Sequence, residues 1–383
     1  MTHISFVDTE FGELLSRLPS GLDLDVSARL SGALVRRRGV KDAASLLRLS
    51  LGYAACGLSL RGAAAWAEVG AVARLSDVAL LNRLRGAADW LGEIVAAILS
   101  ERMTARADGA EERRVRLVDA TTLSCPGSRK TDWRVHVGFR LGPRPRIEQL
   151  ELSDGRGAES LNRFVCGPGD IAIGDAGYAK AQDLARLDAT GAGFIVRTGW
   201  NAVRLRTPGG APFDLFAVLK DVPERGMAEV AAAIALDRGG TELLPVRLVI
   251  LGKSAEEAAR ARARVRRKSR KQGKTPKKET LRAAGYIVLL SSLDDADFST
   301  GDVLELYRLR WQIELVFKRL KSLLHLDQLP ARDPNLARCW IYAKIIAALL
   351  LEDMSGQVLD SPPWAAHARA PAGIAMAHPA HAV

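Results

Sequence analysis

The chain has 383 residues, 48% hydrophobic and 26% charged, an ordinary globular composition with room for two or three domains. A formal net charge of +11 and a pI near 9.7 are not ordinary, and they point to a polyanionic partner, either nucleic acid or an anionic membrane surface. Four scattered cysteines without a CxxC pair exclude a disulfide framework and a cysteine zinc site, and the six histidines form no metal-ligand pair.

The N-terminal "MTHISFVDTEFGELLSRL" carries early acids and no apolar h-region, so it does not read as a signal peptide. Residues 1–105 read as all-helical. Ser59 and Gly70 are the expected caps of "SLRGAAAWAEVG", and Ser76 caps the longer "SDVALLNRLRGAADWLGEIVAAILSERM". Together they resemble a loosely spaced helix-turn-helix whose loop exceeds the usual three or four residues. The cluster Arg36, Arg37, Arg38 and Lys41 is either a phosphate footprint or a solvated turn.

The texture changes at "RRVRLVDATTL", a short strand that runs into Asp119. "DWRVHVGFRL" and "PRIEQLELSDG" alternate as strands do, "AESLNRFV" reads as a short helix, and "DIAIGDAGY" is a buried strand ending at Asp175. This order predicts an α/β core with a mixed sheet over residues 106–190. Residues 191–284 read as a β-rich insertion with strand candidates "GAGFIVRTG", "MAEVAAAIAL" and "LLPVRLVILG". It closes on a basic segment, since residues 260–278 hold eleven Lys or Arg and no acid. "GKS" at Gly252–Ser254 is not a phosphate loop, because Arg247 stands where its first glycine should be.

The core resumes over residues 285–352. "GYIVLLSSL" is a strand, Ser299 or Thr300 caps the next helix, and a last helix covers about 334–352. Its apolar run "WIYAKIIAALLLE" is short and holds Lys344, which argues against a membrane span. The Ala/Pro/His-biased tail, 353–383, is expected to be disordered.

"YRLRWQIELVFKRLK" raises the question of function. Read as one helix, it lines up Tyr307, Arg310, Glu314 and Lys321 within about 60° of arc, beside the apolar face. Ordinary i,i+4 pairing of Glu314 with Arg310 or Lys318 would explain the carboxylate in bland terms. So would turn-forming roles for Asp119 and Asp175 taken singly. Three carboxylates brought together repel unless divalent cations bind them, and an all-oxygen set suits two Mg²⁺ (or Mn²⁺) ions acting on a phosphodiester.

These residues resemble bacterial insertion-sequence DDE transposases, in the insertion-sequence-four group marked by Y-x2-R-x3-E-x6-K. Tyr307, Arg310, Glu314 and Lys321 match that signature at every spacing. "LVDATTL" and "GDAGY" resemble the contexts of the family's first and second acids. The resemblance covers most of residues 25–352. It implies an RNase H-like mixed-sheet catalytic core with a β-rich insertion and an N-terminal helical, end-recognising domain. Asp119, Asp175 and Glu314 would be catalytic metal ligands. Tyr307, Arg310, Lys318 and Lys321 would contact DNA, and Tyr286 would stack on a flipped base in members that cut through a hairpin. The expected partners are double-stranded DNA, both terminal inverted repeats and target, and a second copy of the chain on paired ends. The expected place is the cytoplasm, at the nucleoid. The rival readings are a nuclease without strand transfer and a non-catalytic DNA-binding derivative.

Overall fold

The computed structural model describes residues 11–104, 113–142 and 145–355. Among the described residues six helices come first: α1 (Phe11–Ser16), α2 (Leu24–Leu30), α3 (Ala43–Cys56), α4 (Leu60–Val69), α5 (Asp77–Gly86) and α6 (Ala88–Thr104). Ser59 and Ser76 cap as expected, each accepting from the backbone N–H three residues on, and Gly70 closes α4. The segment expected to run unbroken from Ser76 is two helices, which part at Ala87 next to Gly86.

Nine strands form one sheet in the order β3-β2-β1-β4-β5-β9-β8-β7-β6. They are β1 (Arg114–Leu123), β2 (Trp133–Arg140), β3 (Arg146–Asp154), β4 (Asp170–Gly174), β5 (Gly193–Arg197), β6 (Leu205–Arg206), β7 (Met227–Ala235), β8 (Leu243–Gly252) and β9 (Tyr286–Ser291). β1, β2 and β3 pair as an antiparallel meander, and β4 and β5 run parallel to β1. That half has the RNase H-like arrangement expected from the sequence. Gly193–Arg197, which the sequence reading gives to the insertion, pairs with β4 as the fifth strand of this half. The inserted strands do not form a separate sheet, because β9 joins β5 on one side to β8 on the other.

The helices that follow are α7 (Ala181–Asp188), α8 (Leu215–Asp221), α9 (Ala255–Lys271), α10 (Lys278–Ala283), α11 (Thr300–Arg308), α12 (Trp311–Ser322) and α13 (Pro334–Ser355). One core lies on the sheet face carrying Leu117, Ile173 and Ile195, and takes in α11, α12, α13 and the N-terminal helices. The other face, with Val118, Ala172 and Phe194, is covered by α7 and α8.

At three places the local structure departs from the sequence reading or adds to it. "AESLNRFV" makes only a 3-10 turn at Leu161–Arg163, because its polar side chains bond elsewhere: Ser160 Oγ and Asn162 Nδ2 both donate to Asp183, at 2.6 and 2.9 Å. The basic segment is mostly ordered helix, since Ser254 and Glu257 form a capping box that starts α9. Among the described residues, α13 is long and apolar enough to cross a membrane by length and composition alone, because the helix extends beyond the short run singled out in the sequence. Its apolar window is nevertheless 61% buried in the fold. Lys344 is buried there, its ammonium donating to the Leu324 carbonyl and lying 4.4 Å from the Trp340 ring centre. Residues 356–383, the bulk of the expected disordered tail, lie outside the described residues.

Candidate active site

Alternation along two parallel strands brings the first two acids together. Val115 and Leu117 of β1 and Ile171 and Ile173 of β4 face the same core. Leu117 is in register with Ile173. Two residues further on come Asp119, still within β1, and Asp175, just past the end of β4, so the two acids follow the paired segments of neighbouring parallel strands. Asp119 Oδ1 accepts from the Ala120 N–H at 2.7 Å, and Asp175 Oδ1 caps a 3-10 turn (Ala176–Tyr178) by accepting from Gly177 N–H at 2.7 Å. Asp119 is pushed up to about 6, first by burial and then by the charges of Asp175 and Glu159, while the Ala120 N–H and Arg310 oppose the rise.

The third acid arrives from above the same face, where α12 packs on β1. Tyr307, Arg310 and Glu314 do not share one unbroken helix, contrary to the sequence expectation. Leu309, Arg310, Gln312 and Ile313 each bond their N–H three residues back, so the chain tightens between α11 and α12. Tyr307 ends up half-buried in α11, with Arg310 at the joint. The Arg310 guanidinium lies 3.6 Å from Asp119 Oδ2 and donates to Glu314 Oε1, so one cation spans the first and third acids. The i,i+4 pair of the bland reading is therefore present, but it also reaches Asp119. Burial raises the pKa of the Tyr307 hydroxyl, and the charge of Arg310 opposes the rise. Lys318 is exposed one turn past Glu314. Lys321 Nζ reaches the Thr122 carbonyl at 3.5 Å, at the end of β1.

Tyr286 opens β9, opposite Gly252, well away from the acids in the strand order. It lines a cleft of about 560 Å³ with Arg197, Trp200, Lys253 and Arg264. Arg197 ends β5 at this cleft, and its charge is felt at both Tyr307 and Lys253. Sequence reasoning missed Arg197 and Trp200; the one available signal was an arginine closing the buried run "FIVR".

A transposase DDE domain matches residues 110–350. The chain belongs to the DDE transposase family. It is 41% identical over 367 residues to the InsL transposase of insertion sequence element IS186A from Escherichia coli K12, covering 95% of this chain and 98% of that one. The transposase of element IS421 from Escherichia coli matches at 41% over 368 residues, with the same coverage. A more distant relative is the IS231F transposase of Bacillus thuringiensis subsp. israelensis, 26% identical over 272 residues, 62% of this chain and 56% of that one.

A DDE transposase is an enzyme that acts on DNA with the help of metal ions. The donor set fits hard divalent cations, because Asp119 and Asp175 offer only oxygens and carry a repulsion that a cation would relieve. The Arg310 guanidinium is a stand-in for such positive charge between Asp119 and Glu314. Among the described residues, no three His, Cys, Asp or Glu side chains stand close enough to hold one ion. The Glu314 side chain is 57% exposed, where those of Arg310 and Asp119 are 19% and 16% exposed.

Proposed function

We propose that this transposase cuts the ends of an insertion sequence and joins them to target DNA, with Asp119, Asp175 and Glu314 as ligands for two Mg²⁺ (or Mn²⁺) ions. The observation that carries the reading is the pair Asp119 and Asp175 on neighbouring parallel strands, with Arg310 spanning Asp119 and Glu314. Bound divalent cations supply Lewis acidity, activating water and stabilising charge on the phosphate in flight. The chain's own groups do the rest. Glu314 turns from Arg310 toward the two aspartates, and the released guanidinium takes a phosphate of the cut strand. Lys318 and Lys321 hold the backbone on either side, and Tyr307 orders the terminal nucleotides. Water is the nucleophile for cutting and the freed 3′-hydroxyl for joining, so no covalent link to the protein is needed.

Tyr286 and Trp200 give the cleft two aromatic walls among cations, which suits a base turned out of a hairpin end. The helices before Thr104 recognise the end sequence, and two copies of the chain act on paired ends, in the cytoplasm at the nucleoid. A duplex carrying the element's own end, incubated with a second duplex and Mg²⁺, should be cut and its 3′-end joined to the second DNA. Cutting without joining would make the chain a nuclease, and binding without cutting a non-catalytic derivative.

A further inference from the structure

The turn after β4 reads Gly174-Asp175-Ala176-Gly177-Tyr178, and a side chain leans closely over each of the two glycines. A Cβ on Gly174 would stand 3.1 Å from the Tyr178 ring. A Cβ on Gly177 would stand 2.0 Å from Glu159 Oε2 and 3.1 Å from Asp175 Oδ1, so these two carboxylates face each other across the bare glycine. Glu159 is also felt electrostatically at Asp119.

Its backbone is pinned in this place. Lys180 Nζ donates to the Glu159 carbonyl, and the neighbouring Ser160 and Asn162 are tied to buried Asp183. Its side chain is 30% exposed and has Arg134 at 3.6 Å as counter-charge. Beneath the acids lies a second, independent feature. Tyr178 is fully buried, its hydroxyl has no hydrogen-bond partner, and it senses the charges of Asp119, Glu159 and Asp175 together. A buried donor without a partner, within electrostatic reach of three carboxylates, lacks a bond that such buried groups normally make.

We propose that Glu159 is a fourth carboxylate of the active centre, and that the Tyr178 hydroxyl is the donor that fixes these carboxylates when a divalent cation is bound. The proposal rests on the reading of Asp119 and Asp175 as cation ligands. Glu159 adds charge and oxygen donors from the side of the Gly177 turn. Tyr178 is a positioning residue, acting through the acids above it and not on the DNA.

The test is Mn²⁺ binding to the full chain without DNA, by titration calorimetry or by the electron spin resonance of free Mn²⁺. Glu159→Gln should weaken Mn²⁺ by about tenfold and Tyr178→Phe by severalfold, the usual scale for groups that orient or support metal ligands. Glu151→Gln, which removes the same charge beside Arg163, should bind as the wild type does. Gly177→Ala should reproduce the Glu159→Gln loss, because the new methyl displaces the Glu159 carboxylate without removing its charge; it keeps the test open if Tyr178→Phe fails to fold. Wild-type Mn²⁺ affinity in Glu159→Gln, with at most a lowered melting temperature, would leave Glu159 as a partner of Arg134 and overturn the proposal. Asp119→Asn separates the two levels. If it too leaves Mn²⁺ affinity unchanged, the reading of the centre fails; if it alone loses affinity, only the role of Glu159 and Tyr178 fails.

Discussion

Replacing Arg310 with alanine should reveal the charge deficit that the guanidinium now fills. Two unit charges 3.6 Å apart attract by about 4–5 kcal/mol at an effective dielectric of about 20. Exposed pairs return about 0–1 kcal/mol of this, and breaking a fully buried pair costs about 3–5 kcal/mol. The Arg310 and Asp119 side chains are 19% and 16% exposed, between those limits. Glu314 is mostly in water and adds little. Losing Arg310 should therefore destabilise the DNA-free protein by about 1–2 kcal/mol, a drop of a few degrees in Tm. Mg²⁺ or Mn²⁺ should then raise the Tm of Arg310→Ala by more than it raises that of the wild type, because the cation replaces the missing positive charge. Differential scanning fluorimetry with and without the cation measures both. Identical cation-induced shifts in the two proteins would refute the view that Arg310 and the cation serve the same acids.

Four further outcomes are expected. Arg310→Ala and Lys321→Ala should each lower the log–log salt slope of DNA binding by about one, and an unchanged slope would return Arg310 to a simple ion pair. Alanine at Arg267, Lys268, Arg270 and Lys271 together, all exposed in α9, should lower that slope by about three to four while cleavage persists at low salt. Tyr286→Ala should nick the first strand normally and accumulate nicked ends; equal loss at both steps, or an unfolded protein, would make it a packing residue. His136 is buried against Ser153 and pushed down to about 4, by burial first and then by Arg163 and Arg134. Its unfolded value is near 6.5, so the unfolded chain takes up a proton that the native one refuses. The stability it contributes is whole above pH 6.5 and lost as the pH falls toward 4. Urea unfolding at pH 7 and pH 5 should differ by about 1–2 kcal/mol more in the wild type than in His136→Gln, and equal differences would remove His136 from the account.

Much of this was legible in the residues because it depends on local pattern. Asp119 lies within a strand and Asp175 just past the end of one, both in runs whose apolar alternation is plain, and the spacing of Tyr307, Arg310, Glu314 and Lys321 needs no structure to see. What was not legible depends on contacts between distant segments. The register of Leu117 with Ile173 brings the segments that carry the two aspartates together, and no local signal encodes it. The tightening at Leu309 and Arg310 occurs in a stretch of good helix formers whose Leu306, Leu309 and Ile313 must all reach the core. Glu159 lies in a loop, fifteen or more residues from either aspartate, and only the empty space over Gly177 shows where its carboxylate goes.

The most direct test of the central claim is Mg²⁺-dependent cleavage of the element's own end by Asp119→Asn, Asp175→Asn and Glu314→Gln. Each variant should bind the end duplex with near wild-type affinity and lose cleavage by about three orders of magnitude or more, as expected when a metal ligand of a phosphoryl-transfer centre is removed. Retained cleavage in any one of the three, with DNA binding intact, would remove that residue from the centre and contradict the account.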